Sequence, residues 1–475
     1  MKIEEKMKDD NRRYGWRAVL LALFLIVMAM GFIMGCVLFM LRPTESVLEK
    51  RELTKFPEFK TEEFIDGTYT NNVEKWFSDT FPFREELLTI EGKIKTYYGL
   101  QNDVIANYGD GDEIPDIEDL TQATETEPPE TESDPGIEVI TESEPESESE
   151  SERETYESVD ADELVRMNPQ EAGDVNVKDL VGYCVYGFNL QGADKYAIHV
   201  SNVANALHGV SDVYEILIPD NSAIMLDEET KKAWKLSDEE KVIHYYQAKA
   251  MSLSPYLKDV YIYDTLMEHN DEYLYFKTDH HWTQLGAYYA YVEFCKAKGI
   301  EPHDLSEYKE IVTENFLGSY YQANGYTQLA DNPDTVYAYE PLTCNDMKFY
   351  DNSQKTMRNG YIVRDMNAFG PTLKFYGFIY GDNPLTVIES PEVHNGEKCI
   401  VIKESFGNCW VPFLTDHYEK IYILDYRTYN SENGSFIGNV VDLAKEENVT
   451  DVVFINNLEA ISASWIMDVM GNICK

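Results

Sequence analysis

The chain has 475 residues and a formal charge of −46, enough length for two or three domains. Between Asp110 and Glu163 lie 23 acidic residues and one base, Arg153. A balance this acidic excludes nucleic acid as a partner, because phosphate binding needs clustered Lys and Arg.

Residues 1–17 carry Arg12, Arg13 and Arg17 ahead of an apolar run, with Tyr14 and Trp16 suited to an interface. Ala18 to Leu41 is 24 residues without a charged side chain, enough to cross a hydrocarbon layer of about 30 Å with some tilt. No small-residue cleavage site follows it. The expectation is a single-pass signal anchor over 18–41, with the N-terminus cytoplasmic and the main domain outside the cell membrane. Residues 42–108 read as an extracytoplasmic segment packing on the main domain, with a helix over Glu85–Tyr98. Residues 109–165 are Glu, Ser, Thr and Pro in low-complexity order, which cannot bury enough apolar surface to offset chain entropy. They read as a disordered acidic insertion.

From 166 to 475 an α/β rhythm begins. Helices are expected at Ala193–Leu207, from a Ser237-x-x-Glu240 capping box to Met251, and from a Thr283 cap to Lys298. Further helices are expected after Asn408 and over Val440–Lys445. Strands are expected at Val213–Ile218, Val260–Tyr263, Tyr273–Phe276, Ile400–Ile402, Ile421–Leu424 and Val452–Ile455. Residues 300–395 read as irregular and aromatic-rich. Strands alternating with helices argue for a mostly parallel sheet flanked by helices. Seven cysteines show neither CxxC nor zinc-finger spacing. Buried thiols are expected, and pairing stays open.

Two stretches carry chemistry. Lys277-Thr-Asp279-His280-His281-Trp-Thr283 places a carboxylate and two imidazoles where an apolar run meets a helix, as catalytic groups do in α/β proteins. Lys403-Glu-Ser405-Phe-Gly407-Asn408 has the same strand-to-helix position. A serine nucleophile needs an imidazole to take its proton and a carboxylate to hold that imidazole. Asp279 and His281 supply orienter and base, with His280 as competitor, and Ser405 supplies the nucleophile. Gly407, Asn408 and Asn456 are candidates for oxyanion support. The turn lacks the GxSxG pattern, and a serine there is otherwise a helix cap. Asp279-His280-His281 also admits a metal-dependent phosphoesterase reading, which needs further strand-end aspartates such as Asp220, Asp264 and Asp425. No metal or cofactor is expected.

The stretch Phe276 to Ala287, with Asp-His-His-Trp at its centre, resembles the signature of the bacterial DHHW protein family. Arg51 to Pro57, Phe77 to Arg84, Phe316 to Tyr321 and Lys403 to Asn408 resemble its other landmarks. That family is similar to the SGNH-hydrolase-like domains of the alginate O-acetylation proteins AlgJ and AlgX. The resemblance implies a triad of Asp279, His281 and Ser405 in permuted order. It also implies a polysaccharide acceptor, with acetyl groups relayed by a membrane-bound O-acyltransferase. The expected function is O-acetyl transfer to, or removal from, exopolysaccharide or cell-wall polysaccharide. The alternative is an inactive polysaccharide-binding or scaffold module.

Overall fold

The computed structural model describes residues 174–474, apart from 323–324, 351–356 and 428–437, with short stretches before them. The chain divides into two units, Met1–Tyr98 and Gly99–Lys475. In the first, Glu45–Ser46 pairs antiparallel with Arg51–Glu52, and the Phe56 ring meets Trp76 edge-on at 4.7 Å. The expected membrane anchor and the Glu85–Tyr98 helix lie outside the described residues. Among the described residues no helix is long and apolar enough to cross a membrane.

The second unit is an α/β domain built on one sheet. Its strands are β1 (Asp212–Ile218), β2 (Leu257–Val260), β3 (Asp346–Tyr350), β4 (Arg358–Asn359), β5 (Leu385–Glu389), β6 (Lys398–Lys403), β7 (Lys420–Asp425) and β8 (Asp451–Asn457). Their order across the sheet is β4-β3-β5-β7-β6-β8-β1-β2. From β7 to β2 all pairings are parallel. β5, β3 and β4 extend the sheet antiparallel. The sheet is therefore mixed, parallel only in the part that carries the site.

The order β7-β6-β8-β1-β2 is the 2-1-3-4-5 order of one common doubly wound fold. Here the last two strands of that order come first in the chain. The crevice between β6 and β8 is its switch point, where such folds bind ligands.

β1, β6, β7 and β8 are buried almost throughout, as strands covered on both faces must be. Alternate residues of β1 face opposite layers. Tyr214 meets Phe294 of α3 (Gln284–Lys298) at 5.2 Å. Glu215 points to the other side, toward Tyr196 of α1 (Leu190–Ala206). On the α1 side lie α2 (Glu239–Leu253), α4 (Val440–Glu446), α5 (Leu458–Ser462) and α6 (Ser464–Met470).

Several expected elements shift. The second strand is Leu257–Val260, and the Tyr263–Glu268 stretch is helical, because Tyr263 and Leu266 bury at helical spacing. Tyr273–Phe276 is no sheet strand. It folds back on its own continuation, with Thr283 N donating to Leu274 O at 2.8 Å and Phe276 N to His281 O at 3.2 Å. The cap of α2 is Asp238, whose side chain accepts from Lys241 N. Ser237 Oγ accepts from Phe188 N instead. In place of the helix expected after Asn408, two 3-10 turns follow β6, Ser405–Cys409 and Val411–Leu414; Pro412 lacks the donor a regular helix would need there. The 300–395 region holds an antiparallel ribbon, Lys309–Phe316 with Asp334–Glu340, besides β3–β5. The expected acidic insertion opens bound to this unit. Gly109 N donates to Trp234 O and Asp112 N to Phe188 O, and Asp112 accepts from Leu190 N. Its remainder lies outside the described residues.

Candidate active site

Asp279 and His281 form a buried dyad. His281 Nδ1 donates to Asp279 Oδ1 at 2.5 Å, and His281 N donates to the same oxygen at 2.9 Å. Asp279 Oδ2 accepts from Ser319 N at 2.7 Å. Burial alone would raise the carboxyl pKa, but the two imidazoles and these donors hold it far below the usual carboxylate range. A proton fixed on Nδ1 leaves Nε2 as the free lone pair, which is the tautomer a general base requires. His281 Nε2 is buried and has no hydrogen-bond partner. The ring is held flat against Phe375, with centroids 3.9 Å apart.

His280 is engaged elsewhere. Its Nδ1 hydrogen-bonds Ser319 Oγ at 2.6 Å, and its ring lies 3.8 Å from that of His281. Burial, then the neighbouring imidazole, pushes its pKa down to about 3, so it stays neutral. Ser319 thus serves both histidines, one through the carboxylate and one through its hydroxyl. Gly318 allows that approach, since a Cβ there would stand 2.1 Å from Asp279 Cβ.

Ser405 follows β6 in a 3-10 turn and is buried. Two contacts bring its turn to the dyad: the Phe406 ring lies 4.9 Å from that of His281, and Trp282 Nε1 donates to Phe406 O at 2.9 Å. Ser405 Oγ itself donates to Glu404 Oε2 at 3.3 Å. Glu404 Oε2 also accepts from Phe406 N, and Oε1 from Asn457 N, each at 3.0 Å. Burial raises the Glu404 pKa; Arg427 and these donors oppose it.

Of the oxyanion candidates, Gly407 and Asn408 already donate elsewhere. Gly407 N donates to Glu404 O at 3.0 Å within the turn, and its missing Cβ makes room for Lys403 rather than a ligand. Asn408 Nδ2 donates to Asp382 Oδ1 at 2.8 Å. Asn456 faces the α1 layer, where its Oδ1 accepts from Tyr426 OH at 2.9 Å.

Beside the serine turn sits a charge network absent from the sequence reading. Buried Lys403 bridges Asp382 Oδ1 at 2.9 Å and Asp425 Oδ2 at 3.1 Å; Arg427 Nη2 reaches Asp382 Oδ2 and Asp425 Oδ2, both at 2.8 Å. Burial is outweighed by the two cations, which hold the Asp382 carboxyl well below the usual range. Lys403 and Glu404 carried a signal, being charges at the end of an apolar strand. Ser319 lay within the Phe316 to Tyr321 landmark without a role of its own, and Asp382 and Arg427 carried no signal, because their partners are remote in sequence.

Asp279, His280 and His281 each offer a donor atom within 4.8 Å of the others. Those atoms already bond to one another and to Ser319. Of the aspartates a two-metal site would need, Asp425 is tied into the ion network and Asp264 lies in the Tyr263–Glu268 helix.

Fold and site together define an α/β protein with an oriented aspartate–histidine pair at a sheet switch point. The chain belongs to the DHHW protein family, whose model matches residues 49–424. It is similar to the solved structure of a DHHW family protein from Eubacterium siraeum, with 28% identity and a TM-score of 0.55 over 63% of this chain and 95% of that one. A Bacillus cereus PatB1 structure shares the fold at 19% identity and a TM-score of 0.51, covering 62% of this chain and 99% of the other. A second PatB1 structure, with a sulfonyl adduct, has a TM-score of 0.50 at 19% identity, covering 62% and 97%. The O-acetyltransferase domain of Pseudomonas putida AlgJ aligns with a TM-score of 0.36 at 12% identity over 63% of this chain and 99% of that one. No curated protein matches the chain.

Proposed function

We propose that the domain is an SGNH-hydrolase-like serine acyltransferase or esterase that moves acetyl groups on a surface or secreted polysaccharide. Family membership and the parallel sheet order support the class. The observation that carries the chemistry is the buried Asp279–His281 pair with an unpartnered Nε2 beside the Ser405 turn. In this reading Ser405 Oγ leaves Glu404 and gives its proton to His281 Nε2 as it attacks the acetyl carbonyl. The tetrahedral intermediate collapses, and His281 returns the proton to the departing alcohol. A sugar hydroxyl, or water, then loses its proton to His281, attacks the acetyl-serine and frees Ser405. The proposed partners are a polysaccharide acceptor and a membrane-bound O-acyltransferase as donor. The proposed setting is the outer face of the cell membrane, anchored by residues 18–41.

A chromogenic acetyl ester offered to the wild-type chain, Ser405→Ala and His281→Ala tests the chemistry. Turnover is expected to fall about a thousandfold or more in each variant, with an acetyl adduct on Ser405 in the wild type by mass spectrometry. Full activity in Ser405→Ala sinks the assignment. The contact of Ser405 Oγ with Glu404 rather than His281 favours a second reading, a polysaccharide-binding module without turnover. That reading requires polysaccharide binding by calorimetry that survives Ser405→Ala, together with no turnover in the wild type.

A further inference from the structure

A second cluster lies at the same end of the sheet. Cys184 ends the Val181–Cys184 strand, Asp220 follows β1, and Glu459 stands in the first turn of α5 after β8. One donor atom from each, a sulfur and two carboxylate oxygens, lies within 4.8 Å of the others. Cys184 and Asp220 are each 2% exposed.

The groups are held as ligands usually are. Asn457 Nδ2 donates to Asp220 Oδ1 at 2.9 Å, and Cys184 N donates to Asn221 Oδ1 at 3.0 Å. A further carboxylate, Glu239, accepts from Asp220 N at 2.7 Å. Yet Asp220 Oδ2 is buried with no hydrogen-bond partner. A separate residue points to the same gap. The Tyr320 hydroxyl is also buried and unpartnered, and the groups acting on it are, in order, Cys184, Glu459, Asp220 and Asp279. Among the described residues no Lys or Arg forms an ion pair with Asp220, Glu239 or Glu459. Ionising carboxyl and thiol groups buried together without a cation is costly, and a bound cation removes that cost.

We propose that Cys184, Asp220 and Glu459 hold one divalent transition-metal ion of the zinc class. Three protein ligands of mixed sulfur and oxygen type suit zinc, which leaves a fourth position for water or a ligand. Bond lengths of about 2.3 Å to sulfur and about 2.1 Å to oxygen require the donors to draw together slightly, within reach of side-chain rotation. Asn457 links this site to the serine turn, since its backbone N–H holds Glu404 while its side chain holds Asp220.

The test uses the full chain, purified without chelator and dialysed against zinc or cobalt. Elemental analysis is expected to find about one ion per chain. Cys184→Ser and Asp220→Asn are expected to lower occupancy tenfold or more, while His281→Ala keeps it. The cobalt form is expected to show a thiolate-to-cobalt charge-transfer band in the near ultraviolet, lost in Cys184→Ser. If Cys184→Ser does not fold by circular dichroism, the wild-type band decides. A folded wild type that binds neither ion, or a cobalt form without the band, overturns the proposal. So does metal that survives both cluster variants and is lost in His281→Ala, which would place the ion at the histidines.

Discussion

Gly318 has no side chain because Asp279 occupies the space one would fill. Gly318→Ala is therefore expected to push the carboxylate off His281, costing about 1–3 kcal/mol of stability and at least tenfold in ester turnover, read by thermal melts beside initial rates. Asp279→Asn keeps the size but loses the charge and the acceptor that fixes the Nδ1 proton. Turnover is expected to fall between about a hundredfold and ten-thousandfold with the melting temperature little changed. An equal loss of folding and rate would mean the carboxylate is only structural. The Asp279–His281 pair was legible because both residues lie in one short segment. Glu404 showed in the sequence only as a charge at a strand end, because its meaning lies in Ser405 Oγ and the Phe406 and Asn457 amides converging on it. The Asn408 side chain was likewise not legible, because the partner its Nδ2 donates to, Asp382, is remote in sequence.

Among elements, β1 carries a hidden conflict. Glu215 is buried at its centre with both carboxylate oxygens unpartnered, and its register neighbour on β2 is Asp259. Burial, then Asp259, pushes the Glu215 pKa up from 4.5 to about 8. The unfolded chain loses this proton first as pH rises, so the domain loses stability from about pH 4.5 upward and the loss levels off above about 8. Glu215→Gln is expected to raise stability at pH 8 by a few kcal/mol and to leave it nearly unchanged at pH 4. Denaturant titrations at both values check this, and an equal effect at both would point to packing instead of charge. β6 to β7 presents the opposite case. Removing the charge of Lys403 leaves two buried carboxylates sharing the single cation Arg427, so Lys403→Met is expected to cost about 3 kcal/mol. The strands of the parallel core were legible from apolar runs, whereas the turn after Asn408 and the Tyr273–Phe276 fold-back were not. A short apolar run does not say whether its neighbour is a sheet strand or its own continuation.

Across the whole molecule, the α/β rhythm announced helices around a parallel sheet, but not the antiparallel β5-β3-β4 extension, which comes from the region that read as irregular. Nor did it announce where each strand would stand. β8, the last of the described strands, lies between β6 and β1. Its residues Asp451 to Asn457 pair with Asp212 to Ile218, far back in the chain, so the sheet closes through long-range contacts that make folding slow. Ending the chain after Glu447 is expected to abolish the cooperative melt of the whole domain, not only of its last elements. A truncated chain that kept native circular dichroism would contradict that.

This placement makes β8 the wedge that holds two strand pairs in one sheet. β1 with β2, and β6 with β7, share no edge until β8 arrives between them. His281 comes after β2 in the chain and Ser405 after β6, so β8 also spans the gap in the sheet between the two strands that lead to the proposed base and serine. A product of interrupted synthesis would hold every residue of the proposed triad and still have no site. Such fragments would show unpaired strand edges, the feature that marks a chain for aggregation or degradation.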